Sequence, residues 1–191
     1  MPHLPSTITS AEDELLQSIQ KNQKTNLDDG SVGIVDCESA VSAMIDAHTG
    51  LPVEPPSIYV DLEGICLSRQ GSISIIQLYI LPQDRTYLVD VHQLQHRAFS
   101  TTGRTSGKCF KLILEAKDII KVFFDVRNDS DALFHHFRIS LAGVNDVQLM
   151  KLATSTFPRK NVCGLQKCIK NDAVIAVTTA FGSCRCLRYC I

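Results

Sequence analysis

Three strand-forming segments between residues 58 and 91 leave this chain few ways to fold. Ile58-Tyr59-Val60-Asp61-Leu62, residues 72–80 and residues 86–91 are rich in β-branched and apolar side chains, the second with clear alternation. Only short turn-forming stretches around Gly64, Gly71 and Pro82-Gln83-Asp84 separate them. A parallel pair needs a crossover of about a dozen residues or more, so the three must run as an antiparallel meander. Before it, residues 31–35 read as a short strand, and Asp36 as the cap of a helix over residues 37–47 with Val41, Met44 and Ile45 on one face. After it come a helical stretch at 110–116, a strand at 121–124, a helix over 129–137 and another helical stretch at 147–153. This order predicts an α/β fold with a mixed sheet flanked by helices.

At 191 residues, with 45% hydrophobic and 20% charged side chains, the chain can bury one core of ordinary size, which excludes a disordered or collagen-like protein. Its longest apolar stretches, 73–81 and 173–181, are about half of what a bilayer-spanning helix requires, so no membrane partner is expected. Met1-Pro2-His3-Leu4-Pro5 is not a basic start leading into an apolar run. The expectation is an intracellular protein, cytoplasmic or nuclear and not secreted. Reduced thiols follow from that, and Cys37, Cys66 and Cys109 are expected to be buried as small apolar residues. Residues 151–191 hold seven Lys and Arg against the single acid Asp172, and the remainder is net acidic. The composition divides the chain into a flexible lead-in at 1–30, a domain at 31–172 and an atypical Cys-rich tail at 173–191.

Asp61 and Glu63 close the first strand of the meander two residues apart, so both side chains leave the same face. Two adjacent carboxylates repel each other, and a hard divalent cation such as Mg²⁺ or Mn²⁺ relieves that repulsion with the oxygen ligands it prefers. Without a cation, the pair reads as a solvated strand end. Residues 58–78, Ile-Tyr-Val-Asp-Leu-Glu-Gly-Ile-Cys-Leu-Ser-Arg-Gln-Gly-Ser-Ile-Ser-Ile-Ile-Gln-Leu, resemble the first motif of the ribonuclease D and Werner-type 3′-5′ exonucleases of the DEDD superfamily. That motif is an Asp-x-Glu pair followed by a Gly-x-Ile-Ser-x-x-Gln-Leu strand. Residues 121–133, Lys-Val-Phe-Phe-Asp-Val-Arg-Asn-Asp-Ser-Asp-Ala-Leu, are similar to the second motif, a strand followed by an acid that opens a helix. The match spans about residues 32–172 and is similar to fungal exonuclease-domain proteins. The resemblance implies a ribonuclease H-like fold in which the meander is joined by parallel pairing.

It also implies hydrolysis of phosphodiester bonds at the 3′ end of single-stranded nucleic acid, DNA or RNA, releasing nucleoside 5′-monophosphates by a two-metal mechanism. Asp61 would bridge two Mg²⁺ or Mn²⁺ ions, with Glu63 and Asp129 completing their shells. Asp129 is chosen over Asp125 and Asp131 because Leu133 and Phe137 follow it by four and eight residues on the core face of the helix. Asp125 is the runner-up. Asp146, in a segment resembling the family's Asp-x-Gln, is expected to cap the following helix and to have no catalytic role. Arg69, Arg159, Lys160, Lys167 and Lys170 are the basic residues expected to hold the nucleic-acid backbone.

One family feature has no counterpart. The fourth acid belongs to a late Tyr-x-x-x-Asp or His-x-x-x-Asp pattern, yet no Asp or Glu follows Asp172. The expectation is therefore a domain cut short before its third motif, its C-terminal part incomplete and its second metal site doubtful. The alternative function is a catalytically silent remnant that binds nucleic acid or a partner. Other motifs fail on spacing. Cys184, Cys186 and Cys190 with Cys163 and Cys168 lack the CxxC pairs of a zinc site. Gly103-Arg-Thr-Ser-Gly107-Lys108 has one residue too few between its glycines for a phosphate-binding loop, and Cys109 stands where Ser or Thr is needed. His135 and His136 read as a helix end, and Tyr79 and Phe124 as core.

Overall fold

The computed structural model describes residues 31–155 and 162–172. Six strands form one mixed sheet in the order β1-β4-β3-β2-β5-β6. The centre is the meander: β2 (Ile58–Glu63), β3 (Ile75–Ile80) and β4 (Arg85–Asp90) pair antiparallel, with Asp61 opposite Gln77 and Leu78 opposite Tyr87. Between β3 and β4 the chain turns through a 3₁₀ segment, Leu81–Gln83, and Asp84 in the left-handed region at φ 45°. Residues 72–74 are not strand. They close the preceding loop instead, through Ser72 N–H to Ile65 O at 3.0 Å and Ser74 N–H to Glu63 O at 2.8 Å.

The flanks are parallel. β1 (Val32–Val35) pairs β4 on one edge, and on the other β5 (Lys121–Phe123) pairs β2 and then β6 (Val144–Asp146). The connection that makes β1 parallel to the sheet runs through α1 (Glu38–Ala47), whose Val41, Met44 and Ile45 are buried as their spacing predicts. Asp36 does not cap it. The N-cap is Cys37, and no side chain bonds the free N–H groups there. After the meander come the short helices α2 (Val91–Leu94) and α3 (Arg97–Ser100), then α4 (Phe110–Glu115) and α5 (Arg127–Phe137). The last described helices are α6 (Val147–Thr154) and α7 (Leu165–Asp172).

One continuous core lies against a single face of the sheet, the face of Val60, Leu78 and Val89. Ile76, Leu78, Ile80 and Val89 are wholly buried, as are Val41 and Ile45 of α1 and Leu133 of α5. Phe99 and Phe110 stack within this core with their planes nearly parallel and centroids 6.0 Å apart, and the half-buried Phe137 packs tilted against Phe99. Tyr79 and Phe124, expected in the core, are half-buried. Cys37 and Cys66 are exposed and Cys109 is half-buried, against the expectation that all three lie in the core. Each stands at an element end or in a loop, where chain path rather than side-chain apolarity sets exposure. Lys121 has the opposite fate. It is fully buried at the start of β5, and its Nζ donates to Ile113 O at 3.0 Å and Ala116 O at 2.7 Å, satisfying carbonyls at the C-terminal end of α4. Burial pulls its pKa down to about 8, with Asp118 partly opposing. Among the described residues, no helix is long and apolar enough to cross a membrane.

Candidate active site

The alternation of β2 decides what its acids can do. Val60 and Leu62 point into the core, which turns Tyr59, Asp61 and Glu63 to the other face, with Asp61 half-buried and Glu63 exposed. β5 pairs with β2 only opposite Ile58 and Tyr59, so the carboxylate end of β2 runs on beyond the paired segment. The chain after β5 turns through Asp125, at φ 64°, into α5. Asp129 lies in the first turn of that helix, buried at 6% exposure, while Ala132 and Leu133 of the same helix are wholly buried.

Burial first, and then the charge of Asp61, push the Asp129 carboxyl up to about 7. Asp61 is raised as well, by burial and then by Glu63. The N–H of Leu62, between the two β2 acids, opposes both rises without cancelling either. Asp129 Oδ1 is buried with no hydrogen-bond partner. A buried, unpaired carboxylate oxygen beside a second acid is costly unless something of opposite charge sits there. The all-oxygen donor set matches a hard divalent cation. The arrangement is nevertheless open. Among the described residues, no group of three His, Cys, Asp or Glu side chains is drawn together as a ready metal cage.

The neighbouring acids are engaged elsewhere. Asp125, the alternative to Asp129, receives Arg127 Nε at 2.5 Å and Nη2 at 2.7 Å, and that pairing holds its carboxyl below the usual range. Asp146 caps α6 as its sequence context predicts, accepting from the N–H of Gln148 at 2.9 Å and of Leu149 at 3.4 Å. It also accepts from the N–H groups of Asp125 at 3.1 Å and Val126 at 3.2 Å, so one carboxylate ties the ends of two adjacent parallel strands. Nothing in the local sequence announces that second pair of bonds.

Of the basic residues, Lys167 and Lys170 are exposed on α7, and Arg159 and Lys160 lie outside the described residues, as do the tail cysteines. Arg69 does not stand free: its backbone N–H, Nε and Nη2 all bond Asp131, which sequence reading had set aside. His136 Nε2 lies 3.0 Å from Ser68 O. The pairing of Arg69 with Asp131 leaves no mark in sequence, because 62 residues separate the partners.

Residues 32–180 match the family described as 3′-5′ exonuclease. The chain belongs to that family. Among solved structures, this exonuclease domain is similar to Trypanosoma brucei RNase D in complex with RNA U12, with TM-score 0.54 and 27% identity over 64% of this chain and 39% of that one. The same enzyme in complex with GMP matches with TM-score 0.52 and 25% identity over 64% of this chain and 35% of that one. The mouse piRNA biogenesis protein EXD1 is 36% identical over 90 residues, 47% of this chain and 14% of EXD1. The chain thus spans about a seventh of that curated relative and less than two fifths of the RNase D chains. The mixed sheet flanked by helices is the fold shared with the RNase D exonucleases.

Proposed function

We propose that this exonuclease-family domain hydrolyses phosphodiester bonds at the 3′ end of single-stranded nucleic acid, using Mg²⁺ or Mn²⁺ held by Asp61 and Asp129 with Glu63 at the exposed rim. The observation that carries the reading is the buried Oδ1 of Asp129, which has no hydrogen-bond partner and lies within electrostatic reach of Asp61. The chemistry supplied by bound divalent ions is activation of a water and stabilisation of charge on the leaving 3′ oxygen. The chain's own residues do the rest. Asp61 and Glu63 leave one face of a strand locked in a six-residue antiparallel register, which fixes their mutual spacing. Asp129 approaches from a helix whose next turn is sunk in the core, which excludes water from its inner side. Lys167 and Lys170, exposed on α7, are the described residues suited to holding backbone phosphates, together with Arg159 and Lys160 in the sequence between α6 and α7. RNA is the favoured substrate, given the similarity to an RNase D solved with RNA.

A second reading is binding without hydrolysis. It is favoured by one observation: among the described residues, no three His, Cys, Asp or Glu side chains are drawn together as a ready metal cage. Digestion of 5′-labelled single-stranded RNA and DNA with Mg²⁺ or Mn²⁺, with Asp61→Asn as control, separates the two. A ladder shortening from the 3′ end and lost in the variant supports the exonuclease; retention of the intact strand by folded protein supports the binding domain.

A further inference from the structure

The loop between Glu63 and β3 is built to be stiff. A Cβ at Gly64 would overlap the carbonyl oxygen of Ser72, and one at Gly71 would overlap the carbonyls of Ile65 and Cys66, so the two limbs touch backbone to backbone. Hydrogen bonds from Ser72 N–H to Ile65 O, Ser74 N–H to Glu63 O and Gly71 N–H to Ser68 O close it from base to tip. A stiff loop transmits position. Whatever holds its tip also constrains its base, where Glu63 ends β2.

The tip is held by α5. Arg69 engages both oxygens of Asp131: its backbone N–H reaches Oδ2 at 2.9 Å, Nε reaches Oδ1 at 3.0 Å and Nη2 reaches Oδ1 at 2.6 Å. One residue back, Ser68 O meets His136 Nε2 at 3.0 Å, so two successive loop residues are fastened to the same helix, five residues apart along it. That helix carries Asp129, two residues before Asp131. The Arg69 side chain is 65% exposed, so the ion pair contributes little to global stability. Its backbone N–H bond and fork geometry instead specify where the loop sits.

We propose that Asp131 is a positioning residue: by clamping Arg69, with His136 bracing Ser68, it fixes the β2 end bearing Asp61 and Glu63 against the helix end bearing Asp129. The role rests on the metal-dependent reading of those acids and removes Arg69 from the phosphate-contacting set. Arg69 acts on Asp131 and not on nucleic acid.

The test compares wild type, Asp131→Asn, Arg69→Gln and the double variant in the full chain. Three readouts are needed: amide hydrogen exchange over residues 64–74 in metal-free protein, Mn²⁺ affinity by titration, and kcat and KM on a single-stranded RNA. Each single variant is expected to speed loop exchange about ten-fold and to lower Mn²⁺ affinity and kcat about ten-fold, with KM little changed and the melting temperature near that of wild type. The double variant is expected to be no worse than either single one, since both break the same clamp. Unchanged loop exchange in Asp131→Asn, additive losses, or a raised KM confined to Arg69→Gln would each overturn the positioning role while leaving the exonuclease intact. Wild-type protein that neither binds Mn²⁺ nor shortens RNA would overturn the proposed function itself, and with it the site to be positioned.

Discussion

Asp129 and Asp146 sit at consecutive strand-to-helix junctions, after β5 and β6, and are buried almost equally, at 6% and 8% exposure. Their surroundings are opposite. Asp146 accepts four backbone N–H bonds, two from the turn after β5 and two from the first turn of α6, and so ties the ends of β5 and β6 together. Asp129 has an oxygen with no partner and is pushed up to about 7 by burial and then by the charge of Asp61. Burial alone therefore says nothing about a carboxylate's role. A buried acid that is fully bonded has become part of the scaffold, whereas one left short of partners next to like charge is available to a ligand.

The contrast predicts opposite results when each acid is neutralised. Asp129→Asn should lower 3′-end hydrolysis by on the order of 10²-fold or more, because the metal-holding role proposed for it outweighs that of outer-shell groups, whose loss costs about 10–100-fold. In the same variant, metal-free melting temperature should hold or rise, since a strained charge has gone. Asp146→Ala should reverse this pattern, costing about 3 kcal/mol in denaturant unfolding by stranding N–H donors at two junctions, with Asp146→Asn recovering part. If Asp146→Ala unfolds at wild-type denaturant concentrations, the contrast is lost.

The pH dependence of stability sharpens the comparison. The folded pKa of Asp129 is raised, so in metal-free protein its contribution is fully present below the ordinary value of 3.8 and is lost as pH rises through about 7. Asp129→Asn should flatten that decline. Asp46, at the end of α1, behaves in the opposite sense. Burial would raise it, but backbone and side-chain hydrogen bonds from Ser106 and Thr105 bring it down to about 2. Its contribution is present above 3.8 and lost as pH falls through about 2, a loss that Asp46→Asn should remove. Melting curves from pH 3 to pH 8 read the Asp129 limb, and curves below pH 4 read the Asp46 limb. The smallest effect belongs to Arg127→Ala. Its partner Asp125 is paired at the surface, and a change beyond about 1 kcal/mol would mean that this pair is more than a solvated contact.

Loop 103–107 shows how far a motif can be read and where reading stops. Its spacing rules out a nucleotide phosphate loop, yet its N–H groups do converge on an anion, the carboxylate of Asp46. Position 46 lies 58 residues away from Arg104, and no local pattern links them. β6 was hidden for a related reason: Val144-Asn145-Asp146 has no alternation of its own and becomes a strand because β5 lies beside it. The error over Cys37, Cys66 and Cys109 came from assigning burial by residue type, when each sits at an element end or in a loop.

What the sequence determined by itself was whatever depends on near neighbours. The meander follows from strand propensity and turn length, the inward face of α1 from helical spacing, and the shared face of Asp61 and Glu63 from strand alternation. The cap at Asp146 follows from the residues just after it. Only the tertiary structure decided that Oδ1 of Asp129 is left without a hydrogen-bond partner while Asp125 and Asp131 are paired, and that Arg69 is fastened to α5. The physical reason is that solvation and charge at a site are set by every group within a few ångströms, and folding brings those groups from distant parts of the chain.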